Sequence, residues 1–158
     1  MRNLAHLTRR FFGSIRARRP GPADQSLVAD LLTPAESEVF WTQPVPDMAH
    51  AVRSARAVRR LEPDRDDLSR AALLHDVGKR RSGIGTIRRS IATACAILRI
   101  PTGGRMARYL RHGEIGAREL EELGCEALVV QFARHHHGPR PDHVDEADWN
   151  ALLAADHE

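Results

Sequence analysis

Apolar residues recur along this chain at spacings of three and four, and no stretch alternates apolar with polar as a half-buried strand would. Met48, Ala51, Val52, Ala55 and Val58 fall on one face of a helix running from Asp47, which can cap it, to about Leu61. Ahead of it, "TPAE" (Thr33 to Glu36) is a helix start: Thr33 caps, Pro34 suits the first turn and Glu36 can return a bond to the cap, giving a short helix through Trp41. Leu68, Ala71, Ala72 and Leu74 mark a helix that runs into His75 and Asp76 and is expected to stop at Gly78. Ile84, Ile87, Ile91, Cys95 and Leu98 predict a helix over 84–100, ended by "PTGG". Two further helices, 105–111 and 114–123, meet near "HGE" (His112 to Glu114), with Gly124 as the second stop. Another covers 125–137, and the last starts near Asp145 and carries Trp149, Leu152 and Leu153 toward Asp156. At the N-terminus, Leu4, Leu7, Phe11, Phe12 and Ile15 stand among basic residues as a short amphipathic helix, a pattern that suits a membrane surface and suits packing on its own domain better. "RRPGP" (Arg18 to Pro22) separates it from the body. The pattern therefore predicts an all-α chain, with a basic arm and linker over 1–22 and one helical domain over 23–158.

Composition narrows the class. At 158 residues, 42% hydrophobic and 28% charged, the chain can bury one core, and 4% aromatic residues make that core aliphatic. The net charge of +3 is weak evidence for nucleic acid, because the arginine excess reads as coding bias, but it favours anionic substrates such as phosphates. Cys95 and Cys125 have no CxxC spacing, which points to a reducing cytoplasm. "TRRFFGS" (Thr8 to Ser14) is superficially like a twin-arginine export signal, but "IRARRPGPAD" follows where an apolar stretch is required, so export is not expected. No run is apolar for long enough to span a bilayer. Among the 24 Lys+Arg residues there is a single lysine, Lys79, in "AALLHDVGKRR" (Ala71 to Arg81).

That stretch opens the chemistry. His50, His75, Asp76, His112, His135, His136, His137 and Asp156 all sit at or near predicted helix ends. Taken singly, each histidine reads as a core or surface residue, and Asp156 as a terminal charge. Taken together they offer imidazole nitrogens and carboxylate oxygens, the donors a divalent metal takes. Asp76 is the natural bridge between two ions, since adjacent helical positions project about 100° apart.

"LLHDVGK" (Leu73 to Lys79) resembles the signature of the HD-domain metal-dependent phosphohydrolases, an all-helical superfamily with an upstream His, a His-Asp doublet and a downstream Asp. Here these would be His50, His75, Asp76 and Asp156. "HGEIGARELEELG" (His112 to Gly124) and "HHG" (His136 to Gly138) are similar to the added segments of two-metal subgroups such as the HD-GYP phosphodiesterases. The resemblance covers roughly residues 45 to 158. It departs at "HHGPRPD" (His136 to Asp142), where an HD-GYP enzyme continues with an acidic residue and Gly-Tyr-Pro, which argues against cyclic di-GMP as substrate.

The resemblance implies a compact HD-type helical bundle that binds one or two divalent ions per chain, with Mn, Fe, Mg, Co and Zn not distinguished. It also implies hydrolysis of a small phosphorylated substrate such as a nucleotide. His50, His75, Asp76, His112, His136, His137 and Asp156 would hold metal, with His135 one position outside the "HHG" register. Asp76 and Lys79 would act in catalysis, and Lys79, with Arg80 and Arg81, would meet the anionic substrate. Two alternatives use the same residues: a di-iron oxygenase of the inositol oxygenase type, and a non-catalytic nucleotide-sensing domain. The oligomeric state is left open.

Overall fold

The structure, a computed structural model, describes residues 17–157, so the expected N-terminal basic helix lies almost wholly outside the described residues. The described residues form α1 (Pro22–Leu31), α2 (Pro34–Trp41), α3 (Val45–Leu61), α4 (Asp66–Leu74), a 3-10 helix (Val77–Ser82), α5 (Thr86–Ile97), α6 (Gly104–Leu110), α7 (His112–Glu122), α8 (Ala127–His135) and α9 (Glu146–Asp156). Among them there is no strand, and the fold is all-α as its hydrophobic periodicity predicts. None of these helices is long and apolar enough to cross a membrane.

Leu68, Ala71, Ala72, Leu73 and Leu74 surround a helix with apolar side chains, and such a helix must itself be surrounded. Accordingly α4 is the central element, with all five of these residues at most 1% exposed. It is enclosed by α3, α8 and α9, with α1 and α2 covering the remainder. The predicted face of α3 is buried throughout, from Met48 to Val58. Phe132 of α8 meets Trp149 of α9 edge to face at 5.4 Å over this core. Each large side chain so enclosed contributes about 2 kcal/mol by removal from water.

Local signals behave as their chemistry dictates. The Glu36 N–H donates to Thr33 Oγ1 at 3.4 Å and the Thr33 N–H donates to Glu36 Oε2 at 2.9 Å, which closes the capping box of α2. Buried Glu36 is also gripped by the Arg70 guanidinium of α4, at 2.7 Å from Nη2. Asp145 accepts from the N–H groups of Ala147 and Asp148 to start α9. Gly124, at φ +73, ends α7. The hydrophobic pattern does not announce α1, which begins at Pro22 and buries Leu27, Val28 and Leu31.

Three expectations need correction. Asp47 does not cap α3, which begins at Val45; its carboxylate instead takes the Arg89 guanidinium at 2.6 and 2.7 Å. Gly78 does not stop the helix of His75: α4 ends at Leu74, the chain winds on as a 3-10 helix, and Gly83 at φ +60 closes it. The helix over 84–100 spans only Thr86–Ile97, and its expected core face is exposed, with Ile87 at 67% and Leu98 at 68%. Ile84 is buried, but just ahead of the helix. The principal neighbour of α5 is α6, so it lies outside the ring of helices around α4.

The role of Gly78 is close approach. A Cβ there would collide with the His112 carbonyl oxygen and stand 2.6 Å from the Gly116 nitrogen. On the facing helix a Cβ at Gly116 would lie 3.0 Å from the Gly78 nitrogen, and one at Gly113 would lie 2.8 Å from the Ala133 carbonyl oxygen. These glycines let α7 press against the 3-10 helix and α8 backbone to backbone. Gly78→Ala should therefore lower stability by about 1 to 3 kcal/mol, the cost of overpacking. Gly85→Ala, where nothing lies within 4 Å of the added carbon, should leave the thermal midpoint nearly unchanged. Thermal unfolding followed by circular dichroism makes the comparison.

Candidate metal centre

Helices end with carbonyl groups that have no partner within the helix. At three helix ends in this chain a histidine ring supplies the missing donor. His75, at the end of α4, donates its Nδ1–H to the Ala72 carbonyl at 2.9 Å. His112, where α6 gives way to α7, donates to the Tyr109 carbonyl at 2.7 Å. His136, at the end of α8, donates to the Ala133 carbonyl at 3.0 Å. A carbonyl oxygen only accepts, so Nδ1 carries a proton in each ring and Nε2 is the nitrogen left to face the cluster.

All three Nε2 atoms turn toward Asp76. His75 Nε2 lies 3.3 Å from Asp76 Oδ2, while His112 Nε2 and His136 Nε2 lie 3.2 and 3.5 Å from Oδ1. The two latter nitrogens are 3.4 Å from each other. On the far side, Asp156 Oδ1 stands 3.1 Å from His75 Nε2 and 2.8 Å from His50 Nε2. The His137 ring is exposed at its outer side, with its centroid 4.0 Å from that of His136 and 5.1 Å from that of His112. Two groups of donor atoms result, His50 with His75 and Asp76, and His112 with His136 and His137, the atoms within each group lying within 4.8 Å of one another.

Seven residues singled out in the sequence as metal ligands are thus brought to one place. His135 is not among them: its carbonyl accepts from the Gly138 N–H at 2.6 Å in the turn after α8. Lys79 is 4% exposed and its ammonium bonds Asp76 Oδ2. Arg80 and Arg81 point elsewhere, both guanidiniums meeting Glu119 Oε1, the latter at 2.6 Å. Glu119 carries no signal in the sequence that would have marked it. The carbonyls of Ala72, Tyr109 and Ala133 do carry one, since each stands three positions before a histidine at a helix end.

The electrostatics show what the cluster asks for. Burial disfavours the charged form of Asp76, but Lys79 and the surrounding imidazoles outweigh it and hold the carboxyl well below its usual range. Burial likewise opposes charge on His75, yet Asp76 and Asp156 on either side push that ring up to about 10. Burial lowers His50 and His112, keeping these rings neutral. His75 Nε2 and Asp76 Oδ1 are buried, and they face only carboxylate oxygens and imidazole nitrogens of the cluster. Carboxylate oxygens and imidazole Nε2 atoms facing one another in a desolvated space draw in positive charge, which the proton on His75 supplies and a divalent ion would replace. Neutral imidazoles oriented by a backbone carbonyl, beside carboxylates, are the donors and the outer support that divalent metals take, so the residues fit such an ion.

The HD domain family model matches residues 48–154, a span that contains every residue of this cluster except Asp156, which lies two positions beyond it. Among curated proteins and among solved structures no significant match is found. With that match covering most of its length and the His-Asp doublet at the centre of its histidine cluster, the chain belongs to the HD-domain family, and so to the superfamily of metal-dependent phosphohydrolases.

Proposed function

We propose that the chain is a phosphohydrolase acting on a small phosphoester, a nucleotide or a compound like it, through two divalent ions held on either side of Asp76. The observation that supports this reading is the division of donors about one carboxylate: Asp76 Oδ2 faces His75, and Oδ1 faces His112 and His136. His50, His75, Asp76 and Asp156 would hold one ion, and Asp76, His112, His136 and His137 the other. Bound there, divalent ions would supply Lewis acidity toward phosphate oxygens and acidify a water molecule.

The chain's own residues do the rest. Asp76, at the middle of the cluster, would join the two ions, and a proton lost by water would rest on it only in passing because its carboxyl is held well below the usual range. Lys79, fixed against Asp76 by burial, provides a compact positive charge that offsets the charge of the phosphoryl group. Arg80 and Arg81 are committed to Glu119, so their part in holding substrate is that of a nearby positive field. A cytoplasmic setting accords with two free cysteines.

His75→Ala and Asp76→Ala should each strip metal and abolish phosphoester hydrolysis, read by elemental analysis of untagged protein and by a phosphoester panel with added manganese or iron. Full metal occupancy in either variant would refute the site. Oxygen uptake by iron-loaded protein without phosphoester turnover would replace hydrolysis by di-iron oxygenase chemistry.

Lys79→Ala should lower turnover at least tenfold with metal content nearly intact, and Lys79→Arg should rescue poorly, since a planar fork cannot replace a point charge in so small a space. Turnover equal to wild type would reduce Lys79 to the partner of Asp76.

Wild-type protein should bind two equivalents of metal at saturation and His112→Ala should bind one, with activity falling accordingly. One equivalent in both, with unchanged activity, would leave only His50, His75, Asp76 and Asp156 as ligands.

A further inference from the structure

The outward face of α5 calls for a partner. Ile87, Ile91 and Leu98 recur at helical spacing and are 67%, 49% and 68% exposed. Ile97 and Ile100, at 57% and 50%, extend this apolar surface around the end of the helix. Single exposed aliphatic residues are ordinary, but a contiguous group of large ones marks a binding surface.

Charge indicates what that partner is. From Val77 to Gly113 the chain contains no Asp or Glu. Arg88, Arg99 and Arg111 are exposed in this stretch, while the Arg105 and Arg108 guanidiniums turn onto the Ser82 and Arg81 carbonyls. Elsewhere exposed arginines find carboxylates, as Arg118 does with Glu114 at 3.0 Å, but Arg88 and Arg99 have no ion pair among the described residues.

The turn after α5 adds a second observation. The Ile100 N–H donates to the Cys95 carbonyl at 2.8 Å and the Arg99 N–H to the Ala96 carbonyl at 3.1 Å, a closure that places Arg99 at φ 56. Glycine normally takes that left-handed position, and Gly83, Gly104 and Gly124 take the other positive-φ positions here. Arginine there costs about 1 kcal/mol or more. What it gains is a cation at the apex, flanked by exposed Leu98 and Ile100.

We propose that α5 and the turn through Ile100 dock on an anionic lipid bilayer, with the aliphatic side chains entering the acyl boundary and the arginines meeting headgroup phosphates. Both parts of the surface then have a complement. A second copy of the chain would set Arg88 and Arg99 against the same two cations, with no acidic residue between Val77 and Gly113 to receive them. Nucleic acid would leave the aliphatic side chains in water, since single strands are gripped by aromatic stacking.

The test is co-sedimentation of the full chain with phosphatidylcholine vesicles, with and without phosphatidylglycerol. Wild type should pellet with the anionic vesicles and remain in solution with phosphatidylcholine alone. Joint replacement Ile97→Asp and Leu98→Asp should abolish binding while metal content is retained. Arg99→Gly should weaken binding roughly fivefold, the loss of one cation near the surface. It should not lower the thermal midpoint, because glycine relieves the positive φ, and that separates lost contact from misfolding. Wild type that stays in solution with anionic vesicles would overturn the proposal. So would undiminished binding by the Ile97, Leu98 double variant, which would place membrane contact elsewhere, or a dimer dispersed by that variant with vesicles unbound.

Discussion

A carboxylate 1% exposed in a protein interior is unstable unless positive charge or hydrogen-bond donors surround it, and Asp76 is such a group. The arrangement of the domain follows from answering it. The 3-10 helix sends Lys79, α4 sends His75, and α7 and α8 send His112 and His136. Asp156 then adds a second negative charge on the opposite side of His75, and between the two carboxylates that ring is pushed up to about 10, a positive charge beside that of Lys79. The packing that encloses α4 is therefore inseparable from the cluster at its end. The same burial that stabilises Leu73 and Leu74 removes water from His75 and Asp76.

Helix ends do the positioning. A ring that donates Nδ1–H to a carbonyl three residues earlier satisfies the backbone, fixes its own tautomer and aims Nε2 along the helix exit. The fixed interval means that orientation is set locally, within each helix end. Tertiary packing then has only to bring the ends together, which α8 does by packing on both α4 and α7, with α7 also against the 3-10 helix.

This division explains what could be read from the sequence. The α3 face, the Thr33 capping box and the Gly124 stop are determined by neighbours in the chain, and they stand where periodicity places them. The order of the histidines and carboxylates was likewise readable, because all but His50, which lies inside α3, stand where one helical run ends or the next begins. The outward turn of α5 was not, since the same Ile87, Ile91 and Leu98 pattern would serve equally against a core or a partner. Nor were the pairs of Asp47 with Arg89 and of Arg80 and Arg81 with Glu119, which join residues far apart in sequence. Gly78 was misread for a related reason: a glycine after a helix looks like a stop whether it serves conformation or proximity.

That proximity bears on how the cluster keeps its dimensions. Because Gly78 and Gly116 meet without side chains, the spacing between the His75–Asp76 end of the cluster and His112 is gauged by the thickness of two peptide backbones. Side-chain spacers can change rotamer, and cores padded by methyl groups can relax when one is trimmed. A backbone-to-backbone contact has no such adjustable part. The gap between the two donor groups is thus held at the minimum the polypeptide permits, and it can drift in only one direction, outward.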